Sequence, residues 1–412
     1  MPHPYISRIE SELRENILPF WIRHTVDRER GGFYGEISND LVVNKEAERG
    51  ALLTTRILWT YSSAYRHYRQ PEYWGMATWA YTDLMKRFWD PVHGGCYWST
   101  SADGKPLRTR KQVYGQAFGI YALSEYYSVS RDAAVLERTL ELYRLLETHS
   151  RDRQQGGYFE AFTREWTRET DVRLSAVDLN EPKSQNTHLH VMEAYTNLLR
   201  VWPDAGLRET QRQLIEVMLT RILDSTTFHL GLFFNEGWER RTDRISFGHD
   251  IEAAWLLHEA AVAVDDPALL ERVQKVVLEI ARVTFEQGLD KDGALLYEAD
   301  PQGIVSDIKE WWPQAEAAVG FLAAYQLGGD KRYLTTALRL WDFIEANLVD
   351  RRNGEWFRSV SADLKTKSND AKVSFWKCPY HNGRACLELV DRLGGLGPAE
   401  QSAEGSRAAA AP

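Results

Sequence analysis

The most chemically suggestive stretch of the chain is SFGHDIEAAWLL, residues 246–257, which has the pattern of a helix start. Ser246 is a good N-cap, and the apolar residues that follow recur at helical spacing. His249 falls in the first turn and Glu252 lies three residues later, so both side chains project from one face. The positive end of the helix dipole disfavours an imidazolium ion and keeps His249 neutral. We therefore predict that His249 is available as a proton acceptor.

Polar and aromatic side chains also stand at the starts of five further helical stretches. Four of the eleven histidines fall within these six helix starts, counting residues 246–257 as one of them. This clustering favours a shared functional cavity over chance. For each of these residues taken alone, a purely structural role in the core stays open as the alternative to a functional one. The candidates from the five windows are Arg56, Tyr114, Gln116, Asn186, His188, His190, Trp311, Trp312, Glu316, Trp376, Tyr380, His381 and Arg384.

The other histidines differ in how well they fit a cavity. His381 follows a proline that ends any earlier helix and precedes a new apolar run, so it also falls in a first turn. His188 and His190 are two residues apart and cannot both face inward from a regular helix. We prefer His190, because Glu193 lies three residues later and shares its face.

A metal site is the obvious alternative to proton chemistry. His190, His249, Glu252 and His381 would suffice as ligands for zinc or iron. No HExxH or similar closely spaced motif supports such a site, and GxGxxG, P-loop and GxSxG motifs are missing as well. We therefore predict no metal and no cofactor.

A glycine followed by aromatic or apolar residues recurs along the chain, each time after a polar turn such as DPVHG or DRRNG. The gaps between successive glycines are 63, 62, 74, 62 and 61 residues. One such loop is generic, but six at nearly constant spacing indicate an internal repeat. The repeated glycines are Gly32, Gly95, Gly157, Gly231, Gly293 and Gly354.

Each repeat has a helical pattern on both sides of its glycine. The predicted helices before the glycines are 5–22, 72–90, 132–150, 206–224, 267–287 and 331–349. Those after the glycines are 47–68, 110–128, 185–201, 246–263, 311–327 and 379–393.

A helix pair cannot bury its apolar face alone and must stack on neighbours. We therefore predict an all-α fold, an (α/α)6 barrel of six helix pairs in inner and outer rings with short strands or hairpins at one end. It forms a single domain over residues 1–393. An open solenoid is the competing architecture, but neither end of the chain shows a polar capping repeat. Residues 394–412 are rich in Gly, Ala, Ser and Glu, which predicts a disordered tail.

Composition excludes several classes of protein. The formal charge of -9 and the pI near 5.7 argue against nucleic-acid binding. We find no apolar run of membrane-spanning length and no signal peptide, and three cysteines are too few for a disulfide framework. We expect a cytoplasmic protein without a membrane or nucleic-acid partner. A monomer is the simple expectation, with a homodimer as the alternative.

Six motifs give the chain a resemblance to a known superfamily. They span the helices that follow the glycines, within a match from about residue 8 to residue 393. They are RGALLTTRILWTYSSAYR, RKQVYGQAFGIYALSE, NTHLHVMEAYTNL, SFGHDIEAAWLL, WWPQAEAAVGFL and FWKCPYHNGRACLE. The chain resembles the N-acylglucosamine 2-epimerase superfamily, and within it the cellobiose 2-epimerase group.

The resemblance implies a sugar isomerase with an (α/α)6 barrel that uses neither metal nor nucleotide. It would convert the reducing-end glucose of a β-1,4-linked disaccharide, such as cellobiose or lactose, to mannose. His249 and His381 match the catalytic histidines. Cys378 departs from the pattern, because glycine is expected there, and this puts substrate preference in doubt. The residues that match the lining of the sugar site are Arg56, Tyr114, Asn186, His190, Glu252, Trp312 and Trp376.

Inversion at C2 of an aldose explains why such residues are needed. The ring must open, the C2 proton must leave and return on the other face, and the enediolate oxygen must be stabilised. We hypothesise that one of His249 and His381 handles the C2 proton while the other serves ring opening and reprotonation. Arg56 supplies permanent charge and His190 a hydrogen bond.

The remaining predicted roles concern substrate binding. Trp312 and Trp376 offer flat apolar faces to the two sugar units. Trp311 and Glu316 complete the predicted substrate-binding set. Glu252 is expected to hold His249 by a direct or indirect hydrogen bond, or else to bind a sugar hydroxyl.

Other functions stay open at this point. Within the superfamily, the chain could be an N-acylglucosamine or other monosaccharide 2-epimerase, or a mannose isomerase, because one enediol serves all these outcomes. A glycoside hydrolase on the same fold would use two carboxylates such as Glu252 and Glu316. A sugar-binding protein without activity would also explain the aromatic content.

Overall fold

The computed structural model describes residues 3–366 and 370–397, and this part of the chain is mostly helical. The last helix ends at Gly394. Of the predicted disordered tail, residues 394–412, the part from position 398 onward lies outside the described residues. None of the described helices combines the length and the apolarity that crossing a bilayer requires.

Six helices, called here the buried set, are enclosed along almost their whole length. They are α3 (Ala51–Tyr68), α5 (Val113–Ser130), α7 (Gln185–Val201), α9 (Phe247–Val264), α11 (Trp311–Gly328) and α13 (Tyr380–Gly394). In α5, α9 and α11 the apolar residues are spread around the helix, as burial on most sides requires. Each helix of the set contacts the next one in the chain, and α13 contacts α3.

The helices that precede the repeated glycines pack against the buried set from outside it. They are α1 (Pro4–Ser11), α2 (Leu18–His24), α4 (Pro71–Asp83), α6 (Ala133–Leu145), α8 (Ala205–Val217), α10 (Pro267–Gln287) and α12 (Lys331–Asn347). Wider π-helical turns lie at Glu12–Ile17, Leu84–Phe88, Leu146–Ser150 and Met218–Ile222. The sequence pattern predicted continuous helices there and did not reveal these turns.

Aspartate side chains fix the starts of four of these outer helices. Each carboxylate accepts a hydrogen bond from a backbone N–H in the first turn, which satisfies a donor that the helix itself leaves unpaired. The caps are Asp132, Asp204, Asp266 and Asp330.

Short strands lie at the N-terminal ends of the buried set, as predicted. All pair antiparallel in small sheets of two or three strands, and β1 pairs with β14 across the two ends of the chain. The first seven are β1 (Ile37–Ser38), β2 (Arg49–Gly50), β3 (Ser99–Thr100), β4 (Pro106–Arg108), β5 (Lys111–Gln112), β6 (Ala161–Phe162) and β7 (Lys183–Ser184). The others are β8 (Phe233–Phe234), β9 (Ile245–Ser246), β10 (Glu298–Asp300), β11 (Gly303–Ser306), β12 (Lys309–Glu310), β13 (Ser359–Val360) and β14 (Ala371–Val373).

Ion pairs tie the polar turns to these strands, and all of those named below except Asp290–Lys309 are buried on both sides. The aspartate that opens each turn also accepts backbone N–H bonds within it, for example Asp90 from Val92 and Asp152 from Gln154. Removing one partner of such a pair typically costs about 3–5 kcal/mol. The pairs are Asp27–Arg49 at 2.5 Å, Asp90–Lys111 at 3.0 Å, Asp152–Lys183 at 2.7 Å, Asp290–Lys309 at 2.5 Å and Asp350–Lys372 at 2.6 Å.

Candidate active site

A cavity of about 850 Å³ opens at the N-terminal ends of the buried set. Of the eleven predicted site residues, Glu316 alone does not line it and lies behind His381. The ten that line it are Arg56, Tyr114, Asn186, His190, His249, Glu252, Trp311, Trp312, Trp376 and His381. The structure therefore brings the predicted set together around one hollow.

Helical geometry explains why these positions meet. The second and sixth residues of a helix are four apart and lie on one face, so both point into the cavity where the helix start borders it. Asn186 and His190 are such a pair on α7. On α11 the second residue, Trp312, lines the cavity, whereas the sixth, Glu316, lies behind His381. In α5 and α13 only the second residue lines the cavity, and these residues are Tyr114 and His381. In α3 and α9 the sixth residue does so, and these residues are Arg56 and Glu252.

His249 is held by the cap of its own helix. Its Nδ1 atom lies 2.9 Å from Oγ of Ser246, so its Nε2 atom remains for the cavity. Burial lowers the pKa of His249 to about 3, which keeps the imidazole neutral as predicted. The suggested direct hydrogen bond from Glu252 is wrong, because the Glu252 carboxyl group is bound by Arg384 on another helix.

His381 is held by a carboxylate from the neighbouring helix. Its Nδ1 atom lies 2.6 Å from Oε1 of Glu316, and Glu316 also accepts a bond from Nε1 of Trp255 at 3.1 Å. Burial lowers the pKa of His381 well below its usual value, and the charges of Arg56 and Arg384 lower it further. His381 therefore presents an unprotonated Nε2 atom to the cavity.

One tryptophan lies against both histidines. The ring centre of Trp312 is 4.7 Å from that of His249 and 5.6 Å from that of His381. Both imidazoles therefore border the same aromatic wall of the cavity.

Arg56 forms a fixed positive charge in the wall of the cavity. Its Nη2 atom donates to the Tyr114 hydroxyl at 2.7 Å, and Nη1 donates to the Trp376 carbonyl at 3.4 Å. The Cys378 sulfur lies 3.8 Å from Nη1, and the guanidinium lies 4.3 Å above the centre of the Phe118 ring. An arginine held in this way stabilises an oxyanion without rearranging.

His190 is oriented by the acidic residue expected from the spacing. Its Nδ1 atom lies 2.8 Å from Oε2 of Glu193. Burial opposes ionisation of Glu193, but Arg384 and His190 outweigh it and lower the pKa of Glu193 to about 2. Burial lowers the pKa of His190, so this histidine faces the cavity as a neutral hydrogen-bonding group.

His188 and Gln116 have structural roles, so the preference for His190 over His188 is correct. Nε2 of His188 accepts the Tyr158 N–H at 2.8 Å, and Nδ1 donates to the Ser184 carbonyl at 2.6 Å. The Gln116 amide bonds both backbone groups of Cys96, so placing Gln116 among the cavity candidates was wrong.

The same structural role recurs through the repeats. In four helices of the buried set, α5, α7, α9 and α11, the fourth residue accepts a hydrogen bond from the backbone near the repeated glycine. The matched clamps are Gln116 to Cys96, His188 to Tyr158, Asp250 to Leu230 and Gln314 to Leu295. A polar acceptor recurs at this position in four consecutive repeats of the sequence, and this recurrence could have separated these residues from the site.

Arg384 occupies the place that a metal ion would take. Donor atoms of Glu252, Glu316 and His381 lie within 4.8 Å of one another. Nη2 of Arg384, however, donates to Oε1 of Glu252 at 2.7 Å and to Oε1 of Glu316 at 2.6 Å. The guanidinium already supplies positive charge between these carboxyl groups. His190 and His249, two members of the alternative ligand set, are not part of this cluster.

Two features of the cavity suit a sugar. Trp311, Trp312 and Trp376 provide apolar surfaces, and pyranose C–H faces pack against such rings. Oδ1 of Asn186 is buried and accepts no hydrogen bond from the described protein, which leaves it for a ligand hydroxyl.

Comparison with known proteins identifies relatives over nearly the whole chain. A sequence model of the N-acylglucosamine 2-epimerase (GlcNAc 2-epimerase) family matches residues 32–383. A cellobiose 2-epimerase of Bacteroides fragilis is 45% identical over 93% of this chain and 97% of its own. One from Dictyoglomus turgidum is 38% identical over 94% of this chain and 98% of its own.

A solved structure gives the same result in three dimensions. The cellobiose 2-epimerase of Bacillus thermoamylovorans superposes with a TM-score of 0.90 at 39% identity. The match covers 94% of this chain and 99% of that protein. Sequence and structure therefore agree on the same group of relatives.

Proposed function

Because the chain belongs to the N-acylglucosamine 2-epimerase family and is a carbohydrate epimerase, an isomerase, we propose that it inverts C2 of the reducing-end sugar in β-1,4-linked disaccharides. Cellobiose and lactose are the proposed substrates. One observation carries the proposal: His249 and His381 border a single cavity, and both lie against Trp312.

The proposed mechanism uses the two neutral imidazoles in turn. Ring opening transfers the C1 hydroxyl proton to one imidazole. The other then removes the proton from C2, and the enediolate forms beside Arg56, whose charge stabilises the oxygen. The first imidazole returns its proton to the opposite face of C2, and on ring closure the second imidazole returns its proton to O1. Each such proton transfer is worth roughly 10²–10⁴-fold in rate.

The described contacts support this scheme at each group. Glu316 favours the imidazolium form of His381 once it accepts a proton, and Glu193 orients His190 toward the cavity. Tyr114 and Trp376 hold Arg56, and the tryptophans support the two sugar rings. Asn186 and Glu252 are the proposed partners of sugar hydroxyl groups.

The architecture of the proposed enzyme is a single (α/α)6-barrel domain over residues 1–393. The successive contacts within the buried set, together with that between α13 and α3, support a closed inner ring. A location in the cytoplasm and a monomeric state remain predictions.

Proton NMR of cellobiose in heavy water tests the function directly. We expect a mannose anomeric signal to grow while the original C2 proton is replaced by deuterium. Parallel incubations with N-acetylglucosamine and with mannose test the monosaccharide alternatives. Cellobiose left unchanged while either monosaccharide reacts would contradict the disaccharide proposal, and release of free glucose would indicate a hydrolase.

A further inference from the structure

A buried cluster behind the cavity holds more carboxyl groups than one cation can balance. Arg384 donates through Nη1 to Glu193 and through Nη2 to Glu252 and Glu316, at 2.7 and 2.6 Å for the last two. All four side chains are at most 3% exposed. Three anions around one guanidinium would leave uncompensated charge in a dry site, so the cluster is expected to bind a proton.

Two of the three carboxyl groups have the surroundings of an anion. Glu193 accepts from Arg384, from the Tyr380 hydroxyl and from Nδ1 of His190. Three donors of this kind strongly favour the ionised form.

Glu316 is equally well supplied with donors. Oε1 accepts from Arg384 and from Nδ1 of His381, and Oε2 accepts from the Trp255 indole at 3.1 Å. Protonation of Glu316 would remove an acceptor that these donors need. Burial raises the pKa of Glu316, but its three donors compete with a proton on either oxygen, so the additional proton does not belong on Glu316 or on Glu193.

Glu252 differs from both of these residues. Its Oε1 atom accepts from Arg384, and among residues 3–366 and 370–397 no hydrogen bond reaches Oε2. Glu252 lines the cavity, whereas Glu193 and Glu316 do not. Burial and the neighbouring Glu316 raise the pKa of Glu252 well above its usual value. A proton on Oε2 thus completes the cluster and faces the substrate.

We propose that Glu252 is a carboxylic acid at neutral pH and protonates the ring oxygen of the bound sugar as the ring opens. This rests on the proposed function, and it assigns Glu252 a catalytic role in place of hydroxyl binding alone. The proton leaves Oε2 for the ring oxygen O5, and the C1–O5 electron pair goes to O5. The C1 hydroxyl proton passes to a neutral imidazole, and C1 becomes an aldehyde.

The step balances over the whole cycle. Glu252 becomes an anion while one histidine becomes a cation, so the net charge of the cavity is unchanged. After C2 inversion, ring closure returns the O5 proton to Glu252, and the second histidine returns a proton to O1. No co-reactant is consumed, which suits a reversible isomerisation.

A Glu252→Gln variant separates proton donation from binding, because the amide keeps a hydrogen-bond donor but cannot release a proton. We compare cellobiose with an analogue that is methylated at O5 of its reducing unit. The O6 hydroxyl of this unit is methylated as well and O4 is glycosylated, so neither a furanose, a pyranose nor a septanose ring can close. We expect Glu252→Gln to lose about 10²–10⁴-fold in kcat on cellobiose. It should retain wild-type C2 deuterium exchange on the open analogue.

Glu160→Gln is the matched control. Glu160 is 3% exposed and accepts from the Thr187 hydroxyl, and burial raises its pKa to about 8, but it does not line the cavity. We expect this variant to keep wild-type turnover. Equal losses of Glu252→Gln on both substrates would assign Glu252 to binding alone and overturn the inference. Wild-type protein that exchanges C2 in neither substrate would instead refute the proposed function.

Infrared difference spectroscopy provides a test that does not depend on turnover. The wild-type protein at neutral pH should show a carboxylic acid C=O band that is absent from Glu252→Gln and is perturbed by sugar binding. A wild-type spectrum without this band would overturn the inference, because Glu252 would then be ionised.

Discussion

The Nδ1 atom of His381 lies 2.6 Å from Oε1 of Glu316, a residue that does not itself line the cavity. This contact fixes which ring nitrogen faces the substrate, because a carboxylate accepts and the Nδ1 atom must donate. It also stabilises the positive charge that appears when Nε2 takes a proton. Glu316 therefore acts through His381 as a positioning residue.

Replacing Glu316 with glutamine tests this relationship. We expect kcat to fall about 10- to 100-fold, because a hydrogen bond to a charged group is worth about 1.5–3 kcal/mol. KM should change little, since Glu316 does not line the cavity. Steady-state kinetics with cellobiose measures both constants. Glu125→Gln is the control, as Glu125 is also buried but pairs with Arg66. An unchanged kcat for Glu316→Gln would remove it from the mechanism.

The lowered histidine pKa values predict an unusual acid limb of activity. Burial lowers the pKa of His249 to about 3, and that of His381 lies well below the usual 6.5. Both bases therefore stay neutral when an ordinary histidine would be protonated. We expect kcat/KM to lose activity only well below pH 6.5. A profile with its acid limb centred near pH 6.5 would contradict the neutral, buried state of both residues.

His188 allows a test of stability that leaves the site intact. Burial lowers the pKa of His188 to about 4, so below pH 6.5 the unfolded chain binds a proton that the folded chain excludes. Its contribution to the free energy of unfolding is complete above pH 6.5 and falls as the pH drops toward 4. The slope over this range is up to about 1.4 kcal/mol per pH unit.

We predict that His188→Gln removes this slope and keeps activity, since Gln116 and Gln314 occupy the matching position in other repeats. His188→Leu should instead lose about 1–3 kcal/mol at pH 7, because the Tyr158 N–H is left without its acceptor. Denaturant titrations at several pH values measure both effects. Equal stability of the two variants at pH 7 would show that the clamp contributes nothing.

Cys378 lies between Trp376 and His381 in the chain and contacts Arg56. Its sulfur is buried and lies 3.8 Å from Nη1 of Arg56, at a position where glycine is expected. We predict that Cys378→Gly frees the guanidinium on that side and changes KM for cellobiose relative to lactose by several-fold, with kcat less affected. Cys386→Ala, at a buried cysteine on α13 that does not line the cavity, serves as the control. Unchanged KM values for both sugars would exclude a role in substrate preference.

Local pattern was sufficient to predict the helices of the buried set. The predicted range 185–201 coincides with α7, and the predicted 311–327 ends one residue before α11 does. Apolar periodicity and the glycine turns are local signals, so they survive without knowledge of the tertiary contacts. The π-helical turns were missed, because one additional residue in a turn leaves no clear trace in an amphipathic pattern.

The site residues were predictable as a set, but their partners were not. Residues such as Trp312 and His190 can be identified from the sequence alone, because they stand in the first two turns of a predicted helix on the face that turns toward the cavity. Arg384 was seen as a polar candidate, yet its three carboxylate partners come from different helices and are 68 to 191 residues away. Sequence spacing cannot reveal such contacts. The direct bond suggested between Glu252 and His249 is wrong for the same reason, since the nearer residue in sequence was not the partner in space.

The central claim is that two imidazoles exchange protons with C2 of one sugar, and C2 deuterium exchange in single histidine variants tests it most directly. His249→Ala and His381→Ala should each lose at least about 10²-fold in cellobiose epimerisation. The wild-type product should carry solvent deuterium at C2. If either variant kept most of the wild-type rate of exchange and of mannose formation, the two-histidine account would be wrong.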